Sequence, residues 1–347
     1  MKVQEKYIKR CIELAKYGLG TTYPNPLVGC VIVFENKIIG EGWHKKSGES
    51  HAEVIAIQSV QNKELLSSST LYVNLEPCSH FGKTPPCADL IIKYKIPNVI
   101  IGTIDPNSNV AGKGIKKLKD SGVTVSFGIL EKECNELNKR FFTFHRKSRP
   151  YIILKWAESS DGFISPKNKK EQKPVWISNE YSRQLVHKWR SEEQAILVGT
   201  QTIIDDNPSL TVRDWVGKNP IRIIIDKENS IDSISNVLDN QSKTIVFSKN
   251  DVTLNTDTIQ NINIDFDNNS SQTIVNKLFE NNIQSVIIEG GRKTIQTLID
   301  EDLWDEARVF IGDIYINEGT KAPEINKNYY SKEYIKKDTL LIYRKDD

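Results

Sequence analysis

The sequence predicts two successive α/β domains, and three observations carry that prediction. The chain has 347 residues, too many for one average domain and comfortable for two. Helix-spaced and strand-like segments alternate through each half, and the alternation restarts after a basic stretch that ends at Pro150. A composition of 38% hydrophobic and 27% charged residues gives each half enough apolar surface for a core, which excludes disorder throughout. No apolar run nears the roughly 18 residues of a membrane span.

In the first half, Ile8, Cys11, Ile12, Ala15 and Leu19 recur at helical spacing, and Gly18 or Gly20 can end that helix. VGCVIVF (28–34) and IIGEGW (38–43) read as strands joined by a short turn at Glu35-Asn36. HAEVIAIQSV (51–60) reads as a helix, LYVNL (71–75) as a strand and CADLIIKYKI (87–96) as another helix. NVIIG (98–102), GIKKLKDSG (114–122) and VTVSFG (123–128) continue the alternation, so helices sandwiching a mixed sheet is the economical arrangement. Residues 131–150 read as a helix followed by a basic connection, KRFFTFHRKSRP, which places the domains at 1–146 and 150–347.

The second half opens on the strand YIILKW (151–156). QAILVG (194–199), IRIIID (221–226), KTIVFS (243–248), SVIIEGG (285–291) and ARVFIG (307–312) are further strands, with helices expected at 179–190, 271–281 and 292–301. Asn and Asp are dense in 228–271, a stretch expected to form surface loops and short strands.

Lys+Arg 47 against Asp+Glu 45 leaves a formal charge of +2, which points to neither nucleic acid nor anionic lipid. MKVQEKYIKR at the amino terminus lacks the apolar core of a signal peptide, so the expected compartment is the cytoplasm. Five cysteines (Cys11, Cys30, Cys78, Cys87, Cys134) therefore read as metal ligands or thiols before disulfides, and Cys30, inside an apolar strand, as a small core residue.

The sharpest local signal is His51-Ala52-Glu53 followed by Pro77-Cys78 and Cys87. One histidine and two cysteines suit tetrahedral zinc with a fourth position left for water, and Glu53 can reach that water without binding the metal. An H-x-E with a later P-C…C is the signature of zinc nucleobase deaminases. The competing readings are a closed structural zinc site, for which His80 is the nearby candidate as fourth ligand, and buried cysteines unrelated to any metal.

The two cysteines are separated by a longer loop than in cytidine or tRNA-adenosine deaminases. That loop, SHFGKTPPC, with TTYPNPLVGCVIV (21–33) and DPNSNVAGKGIKKLKDSGVTV (105–125), closely resembles the deaminase half of bacterial riboflavin-biosynthesis deaminase–reductases, the RibD family. The resemblance implies a cytidine-deaminase-like three-layer α/β/α domain in which His51, Cys78 and Cys87 hold Zn2+ and Glu53 is the catalytic proton shuttle. It also implies that Asn25 contacts the base and that His44 and Lys83 meet substrate hydroxyls or phosphate.

In the second half no G-x-G-x-x-G follows a strand, so a Rossmann fingerprint is missing. SVIIEGGRKTIQTLI offers a strand, a glycine pair and a helix whose amides can bind phosphate, a pattern that many plain turns share. LKWAESSDGFIS (154–165), VWIS (175–178), AILVGTQTIIDDNPSLTVR (195–213) and EGG (289–291) resemble the reductase half of the same family. That likeness implies a dihydrofolate-reductase-like α/β domain using NADPH. By the same likeness Ala157, Trp176, Thr202 and Asp206 contact the cofactor. Gly291, Arg292, Lys293, Thr294, Ile295, Gln296 and Thr297 wrap its phosphates. Lys155, Pro174, Leu210, Arg213 and Glu289 meet the substrate, Arg213 gripping a terminal phosphate.

The implied activity is bifunctional. Hydrolytic deamination of a diaminopyrimidine ribotide comes first, and NADPH reduction of its ribosyl group to ribityl follows. The implied partners are a small phosphorylated pyrimidine and, by family likeness, other copies of the chain, with no nucleic acid and no membrane. Two other classes remain open on sequence alone. A nucleic-acid deaminase would need a basic, aromatic-lined channel, and a non-catalytic zinc-stabilised binding protein would need neither Glu53 nor NADPH.

Overall fold

A computed structural model describes residues 3–81, 85–107, 110–169, 171–250 and 256–345. The chain divides into two units, Met1–Ser148 and Arg149–Asp347.

Among the described residues of the first unit, strands β1 (Gly29–Phe34), β2 (Lys37–Trp43), β3 (Thr70–Leu75), β4 (Asn98–Thr103) and β5 (Thr124–Phe127) form one sheet in the order β2-β1-β3-β4-β5. β1 runs antiparallel to β2 and β3, whereas β3, β4 and β5 are parallel. The helices are α1 (Val3–Ala15), α2 (Ala52–Ser59), α3 (Cys87–Lys93), α4 (Lys113–Asp120), α5 (Glu131–Leu137) and α6 (Lys139–Lys147). Side chains alternate along β1. Cys30 and Ile32 join α2, α3 and α4 in one core, while Val31 and Val33 join α1 and α5 in another, which makes three layers.

The expected basic connection at 139–150 is instead a helix as far as Lys147. Phe141, Phe142 and Phe144 are buried, with Phe141 and Phe142 against Leu75 and Val28, while Arg146 and Lys147 face solvent. Three aromatics on a short segment outweigh its basic character, and a helix is the conformation that buries them while satisfying the backbone. Cys30 is fully buried in β1, as expected of a core thiol.

The second unit contains β6 (Tyr151–Ser159), β7 (Phe163–Pro166), α7 (Glu180–Glu192), β8 (Ala195–Gly199), α8 (Thr200–Asp206), β9 (Ile221–Ile225), β10 (Thr244–Ser248) and β11 (Ile259–Asn263). It continues with α9 (Ser270–Glu280), β12 (Ser285–Ile288), α10 (Arg292–Asp300), β13 (Glu306–Gly312), β14 (Gly319–Lys321), β15 (Ser331–Ile335) and β16 (Asp338–Arg344). The main sheet runs β11-β10-β9-β8-β12-β6-β13-β16-β15 and is parallel from β11 to β13. β16 and β15 add antiparallel at one edge, and β7 pairs with β14 separately. The chain leaves β8 outward to β11 and then returns to lay β12 between β8 and β6. Such a reversal opens a crevice at the carboxyl ends of the strands, where α/β sheets hold their ligands. Among the described residues no helix is long and apolar enough to cross a membrane.

Candidate active sites

His51 is the residue that caps the start of α2, and Glu53 lies in its first turn. α2 packs so closely on β2 that a methyl group added at Gly42 would lie 2.5 Å from the Ala56 nitrogen and 2.6 Å from the Ala52 oxygen. Cys87 opens α3, and its backbone N–H donates to the Cys78 sulfur at 3.3 Å. The segment before β1 carries Asn25 and is held by two buried asparagines: Asn74 and Asn138 both donate to the Leu27 carbonyl at 2.9 Å.

The ligand atoms of His51, Cys78 and Cys87 lie within 4.8 Å of one another. His51 Nδ1 is 3.3 Å from the Cys87 sulfur and 3.5 Å from the Cys78 sulfur. A tetrahedral zinc with Zn–N near 2.0 Å and Zn–S near 2.3 Å has an N···S edge of roughly 3.5 Å, so spacing and donor set both fit that ion. Hydrogen bonding from Cys87, ahead of that from His51, favours the Cys78 thiolate, the form that binds metal. Glu53 is 3% exposed, and burial, reinforced by nearby Cys78, raises its pKa above the ordinary carboxylate range. A carboxyl so placed can both hold and release a proton.

The structure brings Asn25 and His44 to this group. The His44 ring is 5.5 Å from that of His51 and is buried. Its Nδ1 is 3.1 Å from the Ser50 carbonyl, which can only accept, so Nε2 accepts from Asn25 Nδ2 at 3.0 Å. Burial lowers the His44 pKa, which keeps this neutral tautomer in place. His80 is exposed and outside the ligand group, so among the described residues the group has no fourth protein ligand. Lys83 lies outside the described residues.

In the second unit a cavity of about 790 Å³ opens at the carboxyl ends of β6, β8 and β12. Lys155 and Ala157 come from β6, Pro174 and Trp176 from the segment before α7, and Thr202 and Asp206 from α8; all six line it. Leu210, Arg213 and Glu289 join them. Leu210 is buried at φ 56°, a left-handed conformation that costs a branched residue roughly 1 kcal/mol. Asp206 is paired with Lys169.

Of the expected phosphate-wrapping run, Gly291, Arg292, Lys293, Gln296 and Thr297 line the cavity. A Cβ on Gly291 would meet only Thr202, at 3.8 Å, so the backbone there is open to a ligand. Thr294 instead lies against Gly199 and Gly290. Ile295 is not among the residues lining the cavity: its side chain is fully buried in the core and its N–H donates to the Gly291 carbonyl. A one-residue step along a helix turns the side chain by about 100°, so a continuous run cannot all face one ligand.

Glu289 anchors the floor. Arg190 donates to both its oxygens, at 3.1 and 2.7 Å, and Lys155 stands 3.6 Å away. Burial alone would raise the Glu289 pKa, but Arg190 and then Lys155 outweigh it and bring it to about 2. Arg190 and His187 were not legible as site residues. They share one face of α7, and the His187 Nδ1 accepts the Arg213 backbone N–H at 3.1 Å. Only the i, i+3 spacing of these two polar residues in an otherwise amphipathic helix hinted at them.

A family model described as "Cytidine and deoxycytidylate deaminase zinc-binding region" matches residues 1–103, and one described as "RibD C-terminal domain" matches residues 150–322. "Riboflavin biosynthesis protein RibD" of Aquifex aeolicus is 40% identical over 330 residues, which cover 93% of this chain and 91% of the relative. The chain belongs to the RibD family. The Escherichia coli RibD protein is 35% identical over 88% of this chain and 87% of its own. A crystal structure from Thermotoga maritima, described as a diaminohydroxyphosphoribosylaminopyrimidine deaminase/5-amino-6-(5-phosphoribosylamino)uracil reductase, superposes with a TM-score of 0.89 at 35% identity, covering 99% of this chain and 98% of that one. RibD of Acinetobacter baumannii superposes equally well at 31% identity, covering 99% of each chain. As a RibD protein the chain is a bifunctional enzyme of riboflavin biosynthesis, with a zinc-binding, cytidine-deaminase-like domain followed by an NADPH-dependent reductase domain.

Proposed function

We propose that the first site deaminates 2,5-diamino-6-ribosylamino-4(3H)-pyrimidinone 5′-phosphate and that the second reduces the product, 5-amino-6-(5-phosphoribosylamino)uracil, at its ribosyl group. The observation that carries the first assignment is a buried Glu53 beside a His/Cys/Cys group at tetrahedral edge spacing. His51, Cys78 and Cys87 hold the metal. When bound, zinc supplies the Lewis acidity that makes water nucleophilic near neutral pH. Glu53 takes one proton from that water and gives it to the ring nitrogen as the oxygen adds at C2, then carries the second, from the new hydroxyl, to the amino group, so the C2–N bond breaks, C2 becomes a carbonyl and ammonia leaves. Asn25, pinned by the neutral His44, presents its amide to the base, and Lys83 meets the phosphate.

In the second site Ala157, Trp176, Thr202, Asp206 and the first turn of α10 seat the cofactor, which supplies hydride when bound. Arg213 grips the substrate phosphate, with its backbone fixed by His187. Glu289, locked by Arg190 and Lys155, faces the sugar with Leu210 and Pro174, and the floor so formed orients C1′ towards the nicotinamide. The chain works in the cytoplasm as a homo-oligomer, which light scattering on the purified protein checks.

The test is metal content together with ammonia release from the diaminopyrimidine ribotide, without and then with NADPH. The reading requires about one zinc per chain, ammonia without NADPH, and NADPH oxidation once deamination has occurred. Zinc with neither activity would overturn it in favour of a zinc-stabilised binding protein.

A further inference from the structure

Two of the three ligands sit on helix starts, His51 at the cap of α2 and Cys87 at the first position of α3. Cys78 does not: it follows the end of β3 on irregular chain, where nothing in its own secondary structure fixes it. A buried carboxylate two residues upstream supplies the missing constraint. Glu76 is 4% exposed, and its own N–H donates to the Thr103 carbonyl at 3.0 Å. Its Oε2 accepts backbone N–H groups from Gly112 at 2.9 Å and Asp105 at 3.3 Å. Its Oε1 accepts from Gly114 at 2.9 Å and Ile115 at 3.1 Å. The start of α4 and the loop before it thus close on one side chain. The contact is tight, since a Cβ on Gly114 would fall 2.0 Å from the Pro77 carbonyl oxygen.

Only a carboxylate offers acceptors on both branches; a glutamine would turn an NH2 group towards two N–H donors. Glu76 is not one of the ligand group itself, so four charge-assisted bonds are spent on holding a turn. Resting on the zinc reading above, we propose that Glu76 is a positioning residue for the metal: by gathering the amides of Asp105, Gly112, Gly114 and Ile115 it fixes the Pro77–Cys78 turn and holds the Cys78 sulfur at ligand spacing.

The test compares full-length, zinc-loaded wild type, Glu76→Gln and Leu118→Ala. Leu118 is a fully buried residue of α4 in the core that α2, α3 and α4 share, and it is not a partner of the carboxylate, so its truncation loosens that core with the four bonds to Glu76 in place. Zinc release to a coloured chelator is timed, and the d–d spectrum of the cobalt-substituted proteins is recorded. Glu76→Gln is expected to release zinc roughly 10- to 100-fold faster than wild type, with a shifted cobalt spectrum, the size of effect seen when groups that orient metal ligands are altered. Leu118→Ala stays near the wild-type rate. Unchanged release from Glu76→Gln, or equally fast release from Leu118→Ala, overturns the proposal. If Glu76→Gln does not fold, Gly114→Ala takes its place. Its methyl presses on the Pro77 carbonyl with Glu76 intact, and release no faster than from Leu118→Ala counts against the proposal in the same way. A wild-type chain that takes up no zinc fails the zinc reading itself, whereas loaded wild type with unaltered release from Glu76→Gln fails only this inference.

Discussion

In the N-terminal unit the reacting group is gathered from a short stretch, with His51 and Cys87 only 36 positions apart, and every member is a side chain. In the C-terminal unit the pair at the cavity floor, Arg190 and Glu289, is 99 positions apart, and the wall mixes charged, polar, aromatic and aliphatic residues drawn from several separate segments. The difference follows from the chemistry. A metal demands particular atoms at about 2.0–2.3 Å, so few residue types serve and their spacing is a signature. A dinucleotide is held by shape, backbone amides and a few charges, which many sequences can supply. One site is concentrated and brittle, the other spread over many contacts.

The sharpest way to break that comparison is Glu53→Gln. Deamination is expected to fall about 10²–10⁴-fold while zinc content and the reductase activity hold, read by ammonia release and metal analysis. Loss of zinc alongside activity would make Glu53 structural instead. In the spread site the largest single effect belongs to Glu289→Gln, which leaves Arg190 and Lys155 buried without their counter-charge. A cost of about 3 kcal/mol is expected, with loss of NADPH oxidation. Urea unfolding followed by tryptophan fluorescence reads it well, because every tryptophan except Trp43 lies in the second unit.

Gly42→Ala sharpens the contrast at the first site. Its methyl would push on the α2 backbone at Ala52 and Ala56, so a cost of about 1–3 kcal/mol is expected, with deamination impaired and reduction intact. Equal loss of both activities would contradict a local effect.

The smallest effect is a pH dependence. Burial, followed by Arg190 and Arg213, brings the His187 pKa from 6.5 down to about 4, with Asp214 and Glu289 opposing. The unfolded chain therefore takes up a proton below pH 6.5 that the folded chain refuses until about pH 4, so stability is lost as pH falls through that window. His187→Asn is expected to flatten this part of the melting temperature against pH, and an unchanged slope would place the histidine's titration elsewhere.

The legibility of the molecule divides along the same line. Strands such as VGCVIVF and the zinc signature could be read because periodicity and ligand spacing are local. The helix at 139–147 could not, since its charges read as a solvated linker and its partners, Leu75 and Val28, are distant in sequence. The β15–β16 hairpin and the β7–β14 pair were also missed: β15 is mostly exposed and shows no apolar alternation, and β7 pairs with a strand distant in sequence. Glu76 reads as an ordinary acidic residue before Pro77, because its four partners at 105–115 are backbone amides that no sequence motif displays. Arg190 and His187 stayed hidden for the same reason, as their partners come together only when α7 packs over β12 and the 210–214 segment.

The central claim is that one chain carries two separate sites acting in order on one phosphorylated substrate. The most direct test is NADPH oxidation by Glu53→Gln, assayed once with the diaminopyrimidine ribotide and once with the already deaminated uracil ribotide. The account predicts wild-type oxidation with the second and essentially none with the first. Oxidation at the wild-type rate with the diaminopyrimidine would contradict it.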